Sequence, residues 1–206
     1  MISSTGTPPS VAGLVLAAGA GRRLGGRPKA LLDLAGRPLV ERAAQVLGAG
    51  GCAPVHVVLG AAEAEVRKRA DLAGCELVSN PDWATGMASS LRAGLASLSP
   101  GTATAALIML VDQPRIGAEA VARLVRAHGD GAALAAAAYG GERGNPVLIA
   151  RHHWAAVRET ATGDRGARDF LRDHRAELTL VECGDVAAPD DIDTEADLRL
   201  LGPYGD

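Results

Sequence analysis

Aromatic side chains are nearly missing from this chain of 206 residues, which has one Phe, two Tyr and two Trp. A core of ordinary size must then be built from Ala, Val and Leu. The same scarcity argues against a binder of single-stranded nucleic acid, which needs aromatic platforms for stacked bases. Positive charge is not in surplus either. The net charge of −3 has the wrong sign for a protein that lives on duplex phosphates. No apolar run approaches the ~18–20 residues of a membrane span. The longest apolar-rich stretches, residues 103–111 and 132–138, are far shorter. Neither a nucleic acid nor a membrane is therefore expected as a partner.

Cysteine is also scarce, with only Cys52, Cys75 and Cys183, odd in number and scattered. The absence of any CxxC or Cys/His ligand spacing argues against a zinc site. Three small thiols, buried or partly buried, suit a reducing compartment, so a cytoplasmic location is expected. Residues 11–20 could pass for a signal-peptide core, but such a core follows a basic segment, and residues 1–10 contain neither Lys nor Arg. They read as a flexible start, with a single domain over residues 11–206.

Along the chain, short apolar runs alternate with amphipathic stretches. Strands are expected at residues 11–17, 55–59, 75–78, 105–111 and 178–181. Helices are expected at 38–47 (Pro38 in its first position), 61–70, 86–98, 117–128, 153–159, 166–173 and 195–201. Residues 132–138 could be helix or strand. Bracketing glycines and a possible hairpin return over 146–149 favour strand. This alternation predicts an α/β fold of three layers, α/β/α, Rossmann-like, with a mostly parallel mixed sheet. In such sheets ligands bind beyond the carboxyl ends of the strands, at a topological switch point.

The first strand runs into a glycine-rich loop, Gly19-Ala20-Gly21-Arg22-Arg23-Leu24-Gly25-Gly26-Arg27-Pro28-Lys29. The dinucleotide fingerprint G-x-G-x-x-G fails at Leu24, and the P-loop pattern fails because Lys29 lies between Pro28 and Ala30. What remains is a loop whose glycines can turn backbone N–H groups toward an anion, with cations to neutralise a polyphosphate. Solvated arginines on an ordinary loop are the competing reading. The rarity of lysine weighs against it: Lys occurs only at positions 29 and 68, and a compact ammonium suits a point contact to phosphate. Asp112 closes the most apolar strand, where a carboxylate points into the ligand crevice and can hold Mg²⁺ (or Mn²⁺) beside a triphosphate. A turn role before Pro114 is the alternative. At 191–195 the bland reading is a helix N-cap by Asp193 or Thr194. The histidines form no triad with a serine, and G-x-S-x-G is absent.

The pattern LAAG-x-G-x-R-x-G…P-K resembles the signature of nucleotidyltransferases, most closely that of the MobA-like group. Further blocks resemble that group in order: NPDWATGMASSLRAGL at 80–95, VDQP at 111–114, RGNPV at 143–147, GDRGAR at 163–168 and DIDT at 191–194. The resemblance implies that Leu16, Ala17, Ala18, Gly19, Gly21, Asn80, Gly86 and Ser90 hold a nucleotide. It implies that Arg22 and Lys29 grip its phosphates as catalytic groups, and that Asp112 and Asp193 bind the metal. Gln113, Arg143, Asn145, Asp164 and Arg168 fall where such proteins bind the acceptor. LAAG and Pro28-Lys29 resemble the cytidylyltransferase branch rather than guanylyltransferases, so CTP is expected over GTP. Asn145 departs from that branch, which usually has histidine there. The implied reaction moves CMP from CTP to the phosphate of molybdopterin, with release of pyrophosphate. A molybdoenzyme or its maturation factor would then be a partner. Alternatives are a guanylyltransferase, a transferase acting on another phosphorylated small molecule, and a non-catalytic carrier of the cofactor.

Overall fold

Strand β1 (Val11–Leu16) is buried at every position. That marks a strand covered on both faces, as in parallel sheets with helices above and below. The computed structural model describes residues 10–202. After β1 come a two-stranded ribbon, β2 (Asp33–Leu34) and β3 (Arg37–Pro38), then α1 (Leu39–Ala49), β4 (Val55–Leu59), α2 (Glu63–Arg69) and β5 (Glu76–Ser79). The chain continues through α3 (Met87–Leu98), β6 (Ala105–Leu110), α4 (Ala118–Gly129), β7 (Leu134–Tyr139) and β8 (Glu142–Ala150). It closes with α5 (Trp154–Thr160), α6 (Arg168–Asp173) and β9 (Leu178–Glu182).

The main sheet has seven strands in the order β5-β4-β1-β6-β8-β7-β9. All pairings are parallel except those of β8, which runs antiparallel to both β6 and β7. The chain steps outward from β1 to β4 and β5, then returns to β6 on the other side of β1. The switch point therefore lies between the carboxyl ends of β1 and β6.

Alternation along the strands sorts the core into two layers. Val11 and Val15 pack with Leu39, Val40 and Leu47 of α1 and with Val121 and Leu124 of α4. Ala12, Leu14 and Leu16 pack with Leu91 and Leu95 of α3, Trp154 of α5 and Phe170 of α6. This is the expected three-layer α/β/α fold, and its core is chiefly Ala, Val and Leu.

Most element boundaries lie within a few residues of those expected. Pro38 differs: it does not open the helix but pairs with Asp33 in the β2–β3 ribbon, one residue before α1. Its extended backbone (φ −56°, ψ 141°) suits a strand end as well as a helix entry. Residues 195–201 form a 3₁₀ rather than an α-helix. The expected flexible start lies outside the described residues except for Ser10, whose N–H bonds Thr104 Oγ1. Cys52 and Cys183 are buried, Cys75 is half-buried, and all are free thiols. Burial pushes the Cys52 thiol up to about 12, which leaves it inert at neutral pH.

One packing contact fixes α1 against α4. A Cβ on Gly50 would stand 2.2 Å from Cγ1 and 2.4 Å from Cβ of Val121. Neither atom is the loose end of a long side chain, and Val121 is fully buried. Gly50→Ala is therefore expected to destabilise the fold by about 1–3 kcal/mol. Urea denaturation should show a lower midpoint with an unchanged m-value.

Candidate active site

The glycine loop leaves the carboxyl end of β1 and turns back at Gly21. Gly21 has φ 61°, and its carbonyl accepts hydrogen bonds from the N–H groups of Leu24 (2.8 Å) and Gly26 (3.1 Å). A Cβ at Gly21 would lie 1.9 Å from the Arg27 carbonyl oxygen. Only glycine fits both the left-handed backbone and this close crossing. The tight turn brings the chain through Pro28 into a 3₁₀ turn at Lys29–Leu31, so that Lys29 faces the ends of β1 and β6.

There Lys29 Nζ donates to Asp112 Oδ2 and to Asp193 Oδ1, each at 2.6 Å. Lys29 and Asp112 are only 16% and 17% exposed, so water screens this pair little. Burial works against the charge on Lys29, but Asp112 and then Asp193 outweigh it and hold the ammonium above the usual lysine range. The bond from Lys29 in turn holds the Asp193 carboxyl below its ordinary value. Asp193 also accepts from Arg23 at 3.1 Å. Its backbone is positioned by fully buried Ile192, whose N–H bonds the Asp112 carbonyl at 2.9 Å. The capping box at this 3₁₀ helix is formed by Thr194 with Asp197. Thr194 therefore takes the capping role, and the Asp193 carboxylate faces Lys29.

A cleft of about 720 Å³ opens beside this cluster. Leu16, Ala18, Gly19, Gly21, Arg22, Lys29, Gly86, Ser90, Asp112 and Asp193 all line it. Ala17 is buried at the loop's base and Asn80 is buried beneath the cleft, so neither is on its wall. The Asn80 side-chain amide donates to Ser89 Oγ (2.9 Å) and Ser90 Oγ (3.0 Å), which makes it a support for the serines. Asp164, expected at the acceptor, lines the cleft beside Lys29 and not the second cavity described next. It reaches there because the amino end of α3 rests on the turn at Gly163–Arg165: a Cβ on Gly86 (φ 111°) would meet the Gly163 carbonyl carbon at 2.5 Å.

A second cavity of about 290 Å³ adjoins the cleft. Gln113, Arg143, Asn145 and Arg168 line it, together with an apolar floor that includes Leu91, Ile108 and Val147. Gln113 is 3% exposed, and its Oε1 has no hydrogen-bond partner.

Trp83 and Asp191 are among the cleft residues that sequence reasoning missed. Trp83 lies on the cleft wall, so one of the few aromatic rings stands where a base or sugar could rest. It was legible only as the W of the NPDW block. Asp191 lines both cavities. Burial first, and then the charge of Asp112, push its carboxyl above the usual range. With Asp191, Asp193 and Asp112 close in sequence or space, the DIDT block contributes two acids rather than one.

The match to the MobA-like NTP transferase domain covers residues 13–178. The chain belongs to the MobA-like NTP transferase family. The enzyme class of this MobA-like chain is thus nucleotidyl transfer. It is 43% identical to a protein of Paenarthrobacter nicotinovorans named nicotine blue oxidoreductase, over 94% of this chain and 97% of that one. Among solved structures, the homologue of Mycobacterium tuberculosis Rv0371c from Mycobacterium sp. strain JC1 is 34% identical, with a TM-score of 0.80 over 93% of this chain and 94% of that one. Rv0371c of Mycobacterium tuberculosis H37Rv, in complex with manganese, is 27% identical, with a TM-score of 0.77 over 93% and 97%.

The donor set of the MobA-like site suits a hard divalent cation. Among the described residues no three Asp, Glu, His or Cys side chains form a ready metal cage. A Mg²⁺-type ion does not need one, because it takes one or two carboxylates and completes its shell with phosphate oxygens and water. Asp112 and Asp193, which share the Lys29 ammonium, could supply such a pair. No helix among the described residues is long and apolar enough to cross a membrane.

Gly21→Ala tests the loop. It should leave the fold's melting temperature within a few degrees while weakening nucleotide binding or turnover by about 10²-fold, the scale of a 1 Å misplacement. Nucleotide titration and thermal denaturation of the same sample check it.

Proposed function

We propose that this protein is a cytoplasmic, divalent-cation-dependent cytidylyltransferase, a single domain over residues 11–206, that transfers CMP from CTP to the phosphate of molybdopterin. The observation that carries this reading is the Lys29 ammonium at 2.6 Å from both Asp112 and Asp193, at the switch point and beside the glycine loop. Backbone N–H groups of residues 18–21 and the Ser90 hydroxyl hold the nucleoside, with Trp83 against it. Lys29 and Arg22 lie on the triphosphate. Asp112 and Asp193 would hold Mg²⁺ or Mn²⁺, which would supply positive charge against the phosphate oxygens.

Gln113, Arg143, Asn145 and Arg168 receive the acceptor, and Arg168 spans both cavities. An oxygen of the acceptor phosphate attacks the α-phosphorus of CTP. The new P–O bond forms as the bond to the β-phosphate's bridging oxygen breaks, and that electron pair leaves on pyrophosphate. No covalent protein intermediate is involved. The chain's residues act by orienting the two phosphates and offsetting their charge. A molybdoenzyme or its maturation factor would take the product. The preference for CTP over GTP rests on the LAAG and Pro28-Lys29 sequences.

A second reading is favoured by one observation, the 43% identity to a protein named an oxidoreductase. The cavity lined by Gln113 would then hold the compound that is oxidised or reduced, and a dinucleotide would be the co-substrate to test. The missing G-x-G-x-x-G fingerprint weighs against it.

One assay separates these readings: pyrophosphate release with each of the four nucleotides, with and without molybdopterin, alongside NADH and NADPH consumption. The expected result is release that needs CTP and molybdopterin together. Faster turnover of GTP would overturn the base assignment, and nicotinamide oxidation without pyrophosphate would establish the second reading. Lys29→Ala should lower the rate by about 10²–10³-fold, or about 2.7–4 kcal/mol. A variant within about threefold of wild type would remove Lys29 from the mechanism.

A further inference from the structure

Three of the four oxygens of the Asp112 and Asp193 carboxylates already face a protein cation. Lys29 Nζ donates to Asp112 Oδ2 and to Asp193 Oδ1, each at 2.6 Å, and Arg23 donates to Asp193 Oδ2 at 3.1 Å. The two oxygens that Lys29 joins are at most twice its bond length apart. A Mg²⁺ ion shared by the two acids would need an oxygen of each at about 2.0–2.1 Å. Ammonium and divalent ion therefore compete for one place. Water screens Lys29 and Asp112 little, so two cations crowded there would repel strongly.

The two protein cations are unequal. Arg23 is exposed, so its pairing with Asp193 is screened and weak. Lys29 is mostly shielded and is the group that balances the acids. Its side chain also suits an exchange of partners. The stem is flexible, the charge is compact, and the acids use two of its three N–H donors. Lys29 lines the cleft together with Gly19 and Gly21 of the glycine loop. A nucleoside triphosphate on that loop carries more negative charge than the two carboxylates. It can draw the ammonium off them, and the acids are then open to the cation that the triphosphate brings.

We infer that Lys29 is a resident counter-ion, which keeps a free divalent cation off Asp112 and Asp193 and yields the pair only when a nucleoside triphosphate arrives. This rests on the reading of those two acids as the metal-binding pair. It deepens that reading by making the site selective for a cation that enters with a nucleotide over one that enters alone. One lysine then serves two stations, the acids before the nucleotide binds and the phosphates after. The coupling is reciprocal: the nucleotide strengthens cation binding by the factor by which the cation strengthens nucleotide binding.

The test titrates Mn²⁺ into the full chain and into Lys29→Met, first without nucleotide. Lys29→Met should bind the ion about tenfold or more tightly than wild type, because its acids are left without their ammonium. Lys29→Arg, which keeps a cation there, should bind it as weakly as wild type. K29M/D193N should lose the tight binding, which assigns the ion to the acids. Adding CTP to wild type should tighten Mn²⁺ by about tenfold or more beyond the affinity of CTP alone for the ion. In Lys29→Met that gain should fall to about threefold or less. Thermal denaturation is a second readout: Mn²⁺ without nucleotide should raise the Tm of Lys29→Met and leave that of wild type in place. Mn²⁺ binding by Lys29→Met no tighter than by wild type overturns the inference. So does a wild-type Mn²⁺ affinity that CTP leaves unchanged, a measurement that needs no variant to fold. If neither protein binds Mn²⁺ with or without CTP, the metal-binding pair fails too. If Mn²⁺ behaves as expected but no nucleotide yields pyrophosphate, the transferase reading fails and the counter-ion role of Lys29 stands.

Discussion

A single ammonium group joins three distant parts of the chain. Lys29 follows the glycine loop, Asp112 lies 83 residues later, just past β6, and Asp193 lies 164 residues later, just before the 3₁₀ helix at 195–201. The Coulomb attraction is strong because Lys29 and Asp112 are mostly shielded from water. The backbone bond from Ile192 to the Asp112 carbonyl fixes the same junction without charge. Remove the ammonium, and two acids, with a third at Asp191, face one another with only exposed arginines to offset them. The loop, the sheet and the C-terminal segment meet at the place where phosphates would arrive.

The fold was legible because its signals are local and repeated. Apolar runs that read as buried strands, spaced by amphipathic helices, give a layered sheet almost regardless of detail. The β2–β3 ribbon escaped because two-residue strands have no periodicity to read, and because Pro38 suits both a strand end and a helix entry. The Ala-rich stretch at β7 carried no helix-or-strand signal of its own, and its neighbours decided it. β8 places it beside an antiparallel partner and β9 beside a parallel one.

The site was legible where one residue type is nearly unique, as lysine is in this chain, and where an acid ends an apolar strand. Asp191 was missed because its meaning depends on burial against Asp112, which no spacing encodes. Asn80 sits in the right block, but its amide turns inward to Ser89 and Ser90. Only the three-dimensional arrangement separates a residue that touches the cleft from one that steadies its wall. The scarcity of aromatic residues argued against stacked bases of a nucleic acid. Trp83 qualifies this, since scarcity counts side chains and cannot say where the few of them stand.

The reversed strand β8 has a consequence for how such an enzyme can change. Residues that begin β8, Arg143 and Asn145, reach the same edge of the sheet as residues that end β1 and β6. The two walls of the site are therefore supplied by separate stretches of chain, the glycine loop and β6 on one side and the β7–β8 hairpin with α6 on the other. A substitution in the hairpin can alter one wall while the wall with Lys29 and Asp112 stays intact. Inverting one strand thus brings two stretches far apart in sequence to one edge of a single sheet, where each can change without the other.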